Sequence, residues 1–490
     1  MDSIFLTCCV SVNKTNIFRP LGSYQVAWYL RKHGYDVQVI DFIHFFTEHQ
    51  IIKILESHIT PKTKIIGLGV MMDLKDPSNG EIIKKIENVF FTIKKRYPQI
   101  KRIVGSPAAP HFSRLHRNKT LFDYVFLGHT EQHVLSLLDH LCKNTPHPQF
   151  EIVEGNKVIR ESFSVPSGEV FDIETCDHQW HSNDFIQPKE TLPLELGRGC
   201  IFKCKFCRYP YIGKSKKDFN RSMECIKQEL VANYENWGVT NYYMLDDTFN
   251  ADQERLRAFT DMVKTLSFQI NYATYLRIDL LAAHPESVDM LLENGLKGAF
   301  LGIESFNTDA AKLIGKSWIG KSSKDYLVEL YHDKWKEKIT ITSAFICGIP
   351  PETFNDCQNT NKWLMENKIP SWVWQNLTVY KDAHDEHRSE FDRNAEEYGF
   401  TWEMQEGRYV WKTEYCDSIT AREWRLQLIN EAKEYQKLNV WSLMSIGSFG
   451  LDIEEYQKYK VMDINWNSLG QMRNNFLRKY YYELIGNTHS

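Results

Sequence analysis

Three cysteines, Cys200, Cys204 and Cys207, lie at spacings of four and three within residues 191–210, TLPLELGRGCIFKCKFCRYP, and constrain this chain more than any other feature. They are odd in number and too closely spaced for a disulfide framework, so the pattern reads as metal chelation. An apolar run over 192–196 places the loop directly after a buried strand. Three thiolates from one tight loop can hold three irons of a 4Fe-4S cluster and leave the fourth iron open to substrate or cofactor. Structural zinc is the competing reading. It wants four closed ligands, usually from paired Cys-x-x-Cys arms, and no second arm follows. Gly197, Gly199 and Phe206 around the cysteines also fit the iron-sulfur pattern.

The remaining eight of the eleven cysteines are scattered without paired spacing, as expected in a reducing compartment. The length, 490 residues, exceeds what one core usually spans and predicts two domains and a third region. With 42% hydrophobic and 25% charged residues, the composition is that of an ordinary globular protein. Neither a signal peptide nor a membrane-spanning apolar run is found, so a cytoplasmic location with no membrane partner is expected. A net charge of -4 offers no general attraction for nucleic acid. The local exception is Lys203, Lys205, Arg208, Lys214, Lys216, Lys217 and Arg221 around the cysteine loop. These read either as a solvated loop or as a docking patch for an acidic electron donor of the flavodoxin or ferredoxin type.

Hydrophobic periodicity predicts alternating strands and helices over residues 1–145: strands over 4–10, 35–41, 64–70, 102–105 and 124–127, with helices over 22–33, 48–57, 81–96 and 131–142. Such alternation implies a doubly wound parallel sheet, Rossmann-like, with ligands beyond the carboxyl ends of its strands. Residues 146–190 read as a linker with a small hairpin over 151–160. From 191 to 382, six further strand-helix steps predict a partial (β/α)6 barrel, whose chemistry belongs at the carboxyl ends of its strands. Residues 383–490 read as a mainly helical region capping the barrel, dense in aromatics.

The cysteine loop resembles the signature of the radical S-adenosylmethionine (SAM) superfamily, whose open iron chelates SAM and cleaves it to a 5'-deoxyadenosyl radical. The stretch RPLGSYQVAWYLRKHGYDVQVID, with IIGLGV, RIVGSP and DYVFLGHTE, resembles the cobalamin-binding domain that precedes the barrel in many of these enzymes. The resemblance implies that Arg19, Leu21, Gly22, Gly69, Gly105, Ser106, Gly128 and Glu131 surround cobalamin. The Asp-x-His-x-x-Gly motif that gives cobalt a histidine is absent, which implies base-off cobalamin without a histidine ligand. For SAM it implies Asp246 and Asp247 at the methionine ammonium and Glu304 at ribose or ammonium. It further implies Arg277 as a charged fork on the carboxylate, and Gly348, Pro350 and Phe206 against adenine. The simpler reading of Asp246 and Asp247 is that they cap the next helix.

Taken together, the resemblance implies a cobalamin-dependent radical SAM enzyme that C-methylates an unactivated carbon of a peptide or small metabolite. A cobalamin-dependent cyclase or ring-rearranging enzyme is the alternative, and a non-catalytic cobalamin and cluster sensor is the reading from another class. Trp402, Tyr409 and Trp411 are candidates for lining the substrate pocket, although aromatics at helical spacing are more often core.

Overall fold

A computed structural model describes residues 1–10, 17–71, 79–105, 121–153, 156–160, 171–208, 219–316, 322–381, 388–405 and 408–486. The chain divides into two compact units, one formed by 1–193, 224–239 and 466–490, the other by 194–223 and 240–465.

The first unit is built on β1 (Ser3–Cys9), β2 (Val37–Ile40), β3 (Ile65–Met71), β4 (Lys101–Gly105) and β5 (Tyr124–Leu127). These are all parallel, in the order β2-β1-β3-β4-β5. Helices Leu21–Lys32, Glu48–His58, Gly80–Arg96 and Glu131–Lys143 make the crossovers. β2 and β5 are buried throughout, and β1 and β3 nearly so, as parallel strands covered on both faces must be. The hairpin expected within the linker forms as β6 (Glu151–Val153) and β7 (Asn156–Arg160). Rather than standing apart, it extends the sheet, with β7 parallel to β5 and β6 antiparallel at the edge.

Arg19 lies at the centre of this unit with no exposed surface. Its Nε and Nη2 donate to the two Glu190 carboxylate oxygens at 2.6 and 3.1 Å. Nη1 donates to the Tyr24 hydroxyl at 2.7 Å and to the Asp184 carbonyl at 2.9 Å, and Nη2 also reaches the Phe185 carbonyl at 3.2 Å. Tyr24 in turn donates to Asp41, and the Asp41 amide donates to the Tyr480 hydroxyl. This network ties the last helix, Trp466–Leu484, to the first sheet, although residues 383–490 were expected to follow the barrel as one region.

The second unit follows β8 (Thr191–Glu195) with β9 (Asn241–Leu245), β10 (Asn271–Leu276), β11 (Leu296–Glu304), β12 (Thr340–Cys347) and β13 (Trp372–Asn376). The six strands lie in sequence order across one sheet, with the pairs from β9 to β13 parallel. The region after them is not purely helical: it opens with an antiparallel hairpin, β14 (Thr401–Gln405) and β15 (Arg408–Lys412). Trp411 of this hairpin packs with Phe391, Phe400, Ile346, Ile349 and Ala421 in one apolar cluster, so it serves as core. The short helix Val440–Gly447 lies on the sheet itself. The Val440 amide donates to the Thr342 hydroxyl at 2.9 Å, and a Cβ added to Gly298 would meet the Val440 side chain at 2.1 Å.

One buried carboxyl in this unit was passed over in the sequence. Glu352, 1% exposed, accepts a 2.6 Å hydrogen bond from the Ser305 hydroxyl. Burial pushes its pKa from 4.5 up to about 8, against the opposing hydrogen bonds of Ser305 and Cys357. The folded protein therefore binds a proton that the unfolded chain releases.

Two stability measurements follow from these buried charges. Arg19→Met leaves Glu190 buried and unpaired, and is expected to lower the unfolding free energy in urea by ~3–5 kcal/mol. An unchanged urea midpoint would remove Arg19 from the frame of the unit. The Glu352 contribution is fully present below its unfolded pKa of 4.5 and is lost as pH rises through about 8. Glu352→Gln should therefore flatten the loss of stability between about pH 5 and 8 by a few kcal/mol, read from denaturant titrations across pH. Parallel pH profiles for the two proteins would contradict the shift.

Candidate functional site

The cysteine loop leaves β8 and returns to it. An antiparallel bridge between Gly197 and Asn220 closes its base, with Arg198 N donating to the Phe219 carbonyl and Arg221 N to the Leu196 carbonyl, both at 2.9 Å. Arg255 clamps the same base from the helix Gln253–Lys264, donating to the Leu196 carbonyl at 2.6 Å and to the Arg221 carbonyl at 3.1 Å. Farther out, Lys205 N donates to the Ile314 carbonyl at 3.2 Å, and the Lys205 carbonyl accepts from Phe391 N at 3.0 Å. The backbone carrying the cysteines is thus fixed from both sides, and Cys207 N closes a tight turn onto the Cys204 carbonyl at 2.9 Å.

Each of two thiols has a polar neighbour. The Cys200 sulfur lies 3.3 Å from the Thr248 hydroxyl, and burial pushes its thiol pKa up. The Cys204 sulfur accepts from Arg277 Nη1 at 3.4 Å. Among the described residues no three His, Cys, Asp or Glu side chains converge as ligands of one ion. An iron-sulfur cubane does not ask for that, because each cysteine takes its own iron. Three partly buried cysteines on one fixed loop, with the Thr248 hydroxyl beside one sulfur and an Arg277 N–H donated to another, fit a cluster held by three thiolates.

The acidic and cationic residues at the neighbouring strand ends are already engaged. Asp246, after β9, accepts from Thr248 N at 3.0 Å, and the Asp247 carbonyl accepts from the Thr248 hydroxyl at 2.6 Å. Neither caps the following helix; Asp252 does, accepting from Glu254 N and Arg255 N. Arg277, just beyond β10, was expected to present its fork to a carboxylate of SAM. In the structure Nε and Nη2 donate to Asp279 at 3.1 and 2.6 Å, and the guanidinium lies over the Phe202 ring at 4.2 Å. Glu304 sits at an irregularity in the β11 register, with φ of 71°, a conformation that few side chains other than glycine adopt. Its carboxylate pairs with Lys316 at 2.7 Å, and Lys316 also donates to the Gly302 carbonyl at 3.0 Å. Lys316 carried no sequence signal, because its partner is twelve residues away across a loop and a helix.

Gly348 has φ of 90°, and a Cβ there would meet Ala421 at 3.0 Å and the Trp411 ring at 3.1 Å. Its glycine is therefore required by the C-terminal elements that cover it. Pro350 is buried beside it, and Phe206 packs against the same apolar cluster as Trp411. Two members of the basic run are structural as well. Arg208 forms a bidentate pair with Asp392 at 2.8–3.1 Å, and Arg221 is buried, donating to the Glu195 carbonyl. Lys214, Lys216 and Lys217 lie outside the described residues.

In the first unit the strand order places the switch point between β1 and β3, where a doubly wound sheet takes its ligand. The residues expected there divide by role. Arg19, expected at a cofactor, is consumed by the buried network described above, and Leu21 is buried. At Gly69 a Cβ would meet the Ser23 hydroxyl at 2.5 Å, so a side chain there would have to displace it. Gly105 has room for a side chain beside Phe126, and Gly22 faces open space. Gly128 has φ of 90° and precedes the helix that begins at Glu131, itself buried. Ser106 lies outside the described residues.

Residues 194–364 match the family model of the Radical SAM superfamily. The bacteriochlorophyllide d C-8(2)-methyltransferase of Chlorobaculum tepidum is 23% identical over 205 residues, 40% of this chain and 44% of that protein. The match thus spans less than half the length of that relative. The cytidylyl-2-hydroxyethylphosphonate methyltransferase of Streptomyces wedmorensis is 19% identical over 385 residues, 68% of this chain and 69% of that protein. Among solved structures, the radical S-adenosylmethionine methyltransferase TsrM from Kitasatospora setae, with cobalamin and a 4Fe-4S cluster bound, aligns with a TM-score of 0.66 at 12% identity. The alignment covers 97% of this chain and 99% of TsrM. The fold is therefore shared along nearly the whole chain, and the three cysteines lie within the segment that matches the Radical SAM superfamily model.

Proposed function

We propose that this chain is a cobalamin-dependent radical SAM enzyme that C-methylates an unactivated carbon of a small metabolite or peptide. The observation that carries this reading is the end-to-end likeness to TsrM, a methyltransferase whose structure holds cobalamin and the cluster. TsrM has also been solved with tryptophan substrate and a SAM analogue, which favours a small-molecule substrate here. The two curated relatives above, both methyltransferases, support methyl transfer over cyclisation.

When bound, a 4Fe-4S cluster supplies the electron that cleaves SAM, and cobalamin supplies the methyl group to be transferred. In this reading Cys200, Cys204 and Cys207 hold the cluster. Glu304, aimed by the irregularity in β11 and held by Lys316, is the acid offered to the ribose hydroxyls or ammonium of SAM. Asp246 and Asp247, on the turn closed by Thr248, lie beside the Cys200 end of the site and favour a cationic group there. The apolar cover around Gly348, Pro350 and Phe206 supplies a dry surface for the adenine ring. The chain's own contribution is thus to grip a cationic nucleoside at several strand ends and to exclude water around it. In the same reading cobalamin would be held at the carboxyl ends of β1 and β3, base-off and without a histidine ligand, where Gly22 leaves it room. The electron comes from a flavodoxin or ferredoxin.

The test is anaerobic reconstitution of the full chain with iron, sulfide, hydroxocobalamin and SAM, with dithionite as reductant. Retained cluster and cobalamin absorbance after desalting is expected, together with 5'-deoxyadenosine and S-adenosylhomocysteine among the products. Cys204→Ala should lose the cluster absorbance and at least about a hundredfold of the 5'-deoxyadenosine formed. Protein that discards cobalamin on desalting, or forms 5'-deoxyadenosine without any S-adenosylhomocysteine, would overturn methyl transfer.

A further inference from the structure

The resemblance assigned Arg277 to the SAM carboxylate, but its surroundings give it another task. Its backbone is clamped at both ends by one side chain: the Asn250 carboxamide oxygen accepts from Arg277 N at 3.0 Å, and the Asn250 amide donates to the Arg277 carbonyl at 2.9 Å. Its fork is occupied by Asp279 through Nε and Nη2. Its flat face lies on Phe202, 4.2 Å from the ring centroid. The residue is 7% exposed, and the nitrogen not engaged by Asp279, Nη1, points at the Cys204 sulfur at 3.4 Å. A guanidinium fixed in this way has little freedom to turn toward a ligand carboxylate, and turning would leave Asp279 without its fork.

We infer that Arg277 is a potential-setting residue: it donates an N–H to the Cys204 thiolate and stabilises the reduced state of the cluster that this thiolate holds. This inference rests on the reading of the cysteine loop as a 4Fe-4S site. Reduction adds one electron, and so one negative charge, to the cluster. A positive charge and an N–H donor at a ligand sulfur favour the form with more negative charge, and therefore raise the potential at which the electron is accepted. Asp279 lies on the far side of the fork and orients the guanidinium. Because Arg277 stays charged at all working pH values, the device is constant.

The test compares reconstituted full-length protein with its Arg277→Met, Arg277→Lys and Asp279→Asn variants. The midpoint potential of the cluster is read by electron paramagnetic resonance in a redox titration, and SAM affinity by equilibrium binding. Arg277→Met should shift the midpoint to lower potential at unchanged iron content, and Arg277→Lys, which keeps the charge, should recover part of the shift. Asp279→Asn should shift it in the same direction by less, and so serves if the methionine variant assembles poorly. SAM affinity should hold within about threefold, since no carboxylate contact is removed. Unchanged midpoints overturn the inference. A loss of SAM affinity of about tenfold or more with an unchanged midpoint returns Arg277 to the carboxylate. Wild-type protein that assembles no 4Fe-4S cluster defeats the underlying reading of the loop, a result distinct from an unmoved midpoint.

Discussion

The paired hydrogen bonds between the Asn250 carboxamide and the backbone of Arg277 set the mouth of the second sheet. Asn250 belongs to the turn after β9 and Arg277 to the end of β10, so the bonds fix two consecutive strand ends relative to each other. With that spacing fixed, the Arg277 side chain can reach only a small region. Asp279 and Phe202 narrow it further, and what remains in reach is the Cys204 sulfur. The loop's own anchors, the bridge at Gly197 and the Lys205 backbone bonds, bring the sulfur to that point from the other side. Among its described residues the cysteine loop has no helix or strand of its own, and it is positioned by the ends of elements that do.

Buried charges are used in the same way in both units, as pins where local structure is weak. Arg19 joins residues from four separate parts of the first unit, including the last helix through Tyr480. Lys316, after the helix Thr308–Leu313, pairs with Glu304, whose backbone conformation would otherwise be unfavourable. A buried ion pair adds little net stability over well-packed apolar residues, but losing one partner is costly, so such a pair selects one arrangement among several compact ones. Glu352 is a different case. With a serine hydroxyl and a thiol for neighbours and no cation beside it among the described residues, it keeps its proton instead.

These distinctions decide how much could be read from the sequence. Strands and helices were legible because period-two and near-four patterns are local: the strand expected over 64–70 forms at Ile65–Met71, and the helix over 81–96 forms at Gly80–Arg96. The cysteine loop was legible because its three cysteines fall within eight residues. Partners were not. Nothing near Arg19 announces Glu190, 171 residues away, and nothing near Arg277 says that its fork is filled two residues later rather than kept for a ligand. Glycines misled for the same reason. Gly69 and Gly348 carry the right residue type for a cofactor cradle, yet what comes close to each is Ser23 in one case and Trp411 with Ala421 in the other. The hairpin β14–β15 was missed because its strands are short and half polar, which leaves little alternation to detect.

The aromatic residues of the C-terminal region separate along the same line, by partner rather than by spacing. Trp411 is 2% exposed within an apolar cluster, which fits a core residue. Trp441 was one aromatic among many in the sequence, but its helix lies across the sheet and its ring meets Tyr243, Tyr275 and Phe300, one from each of three successive strands. Tyr275 and Arg277 are two residues apart, so they point to the same face, and Phe300 shares the face of Gly298, against which Val440 packs. The face that presents Arg277 to the cysteine loop is therefore the face lined by these four aromatics. Tyr275, Phe300 and Trp441 keep part of their surface exposed there. Trp441 thus brings the region after the barrel onto the strand that precedes Arg277, whereas Trp411 is held within the apolar cluster.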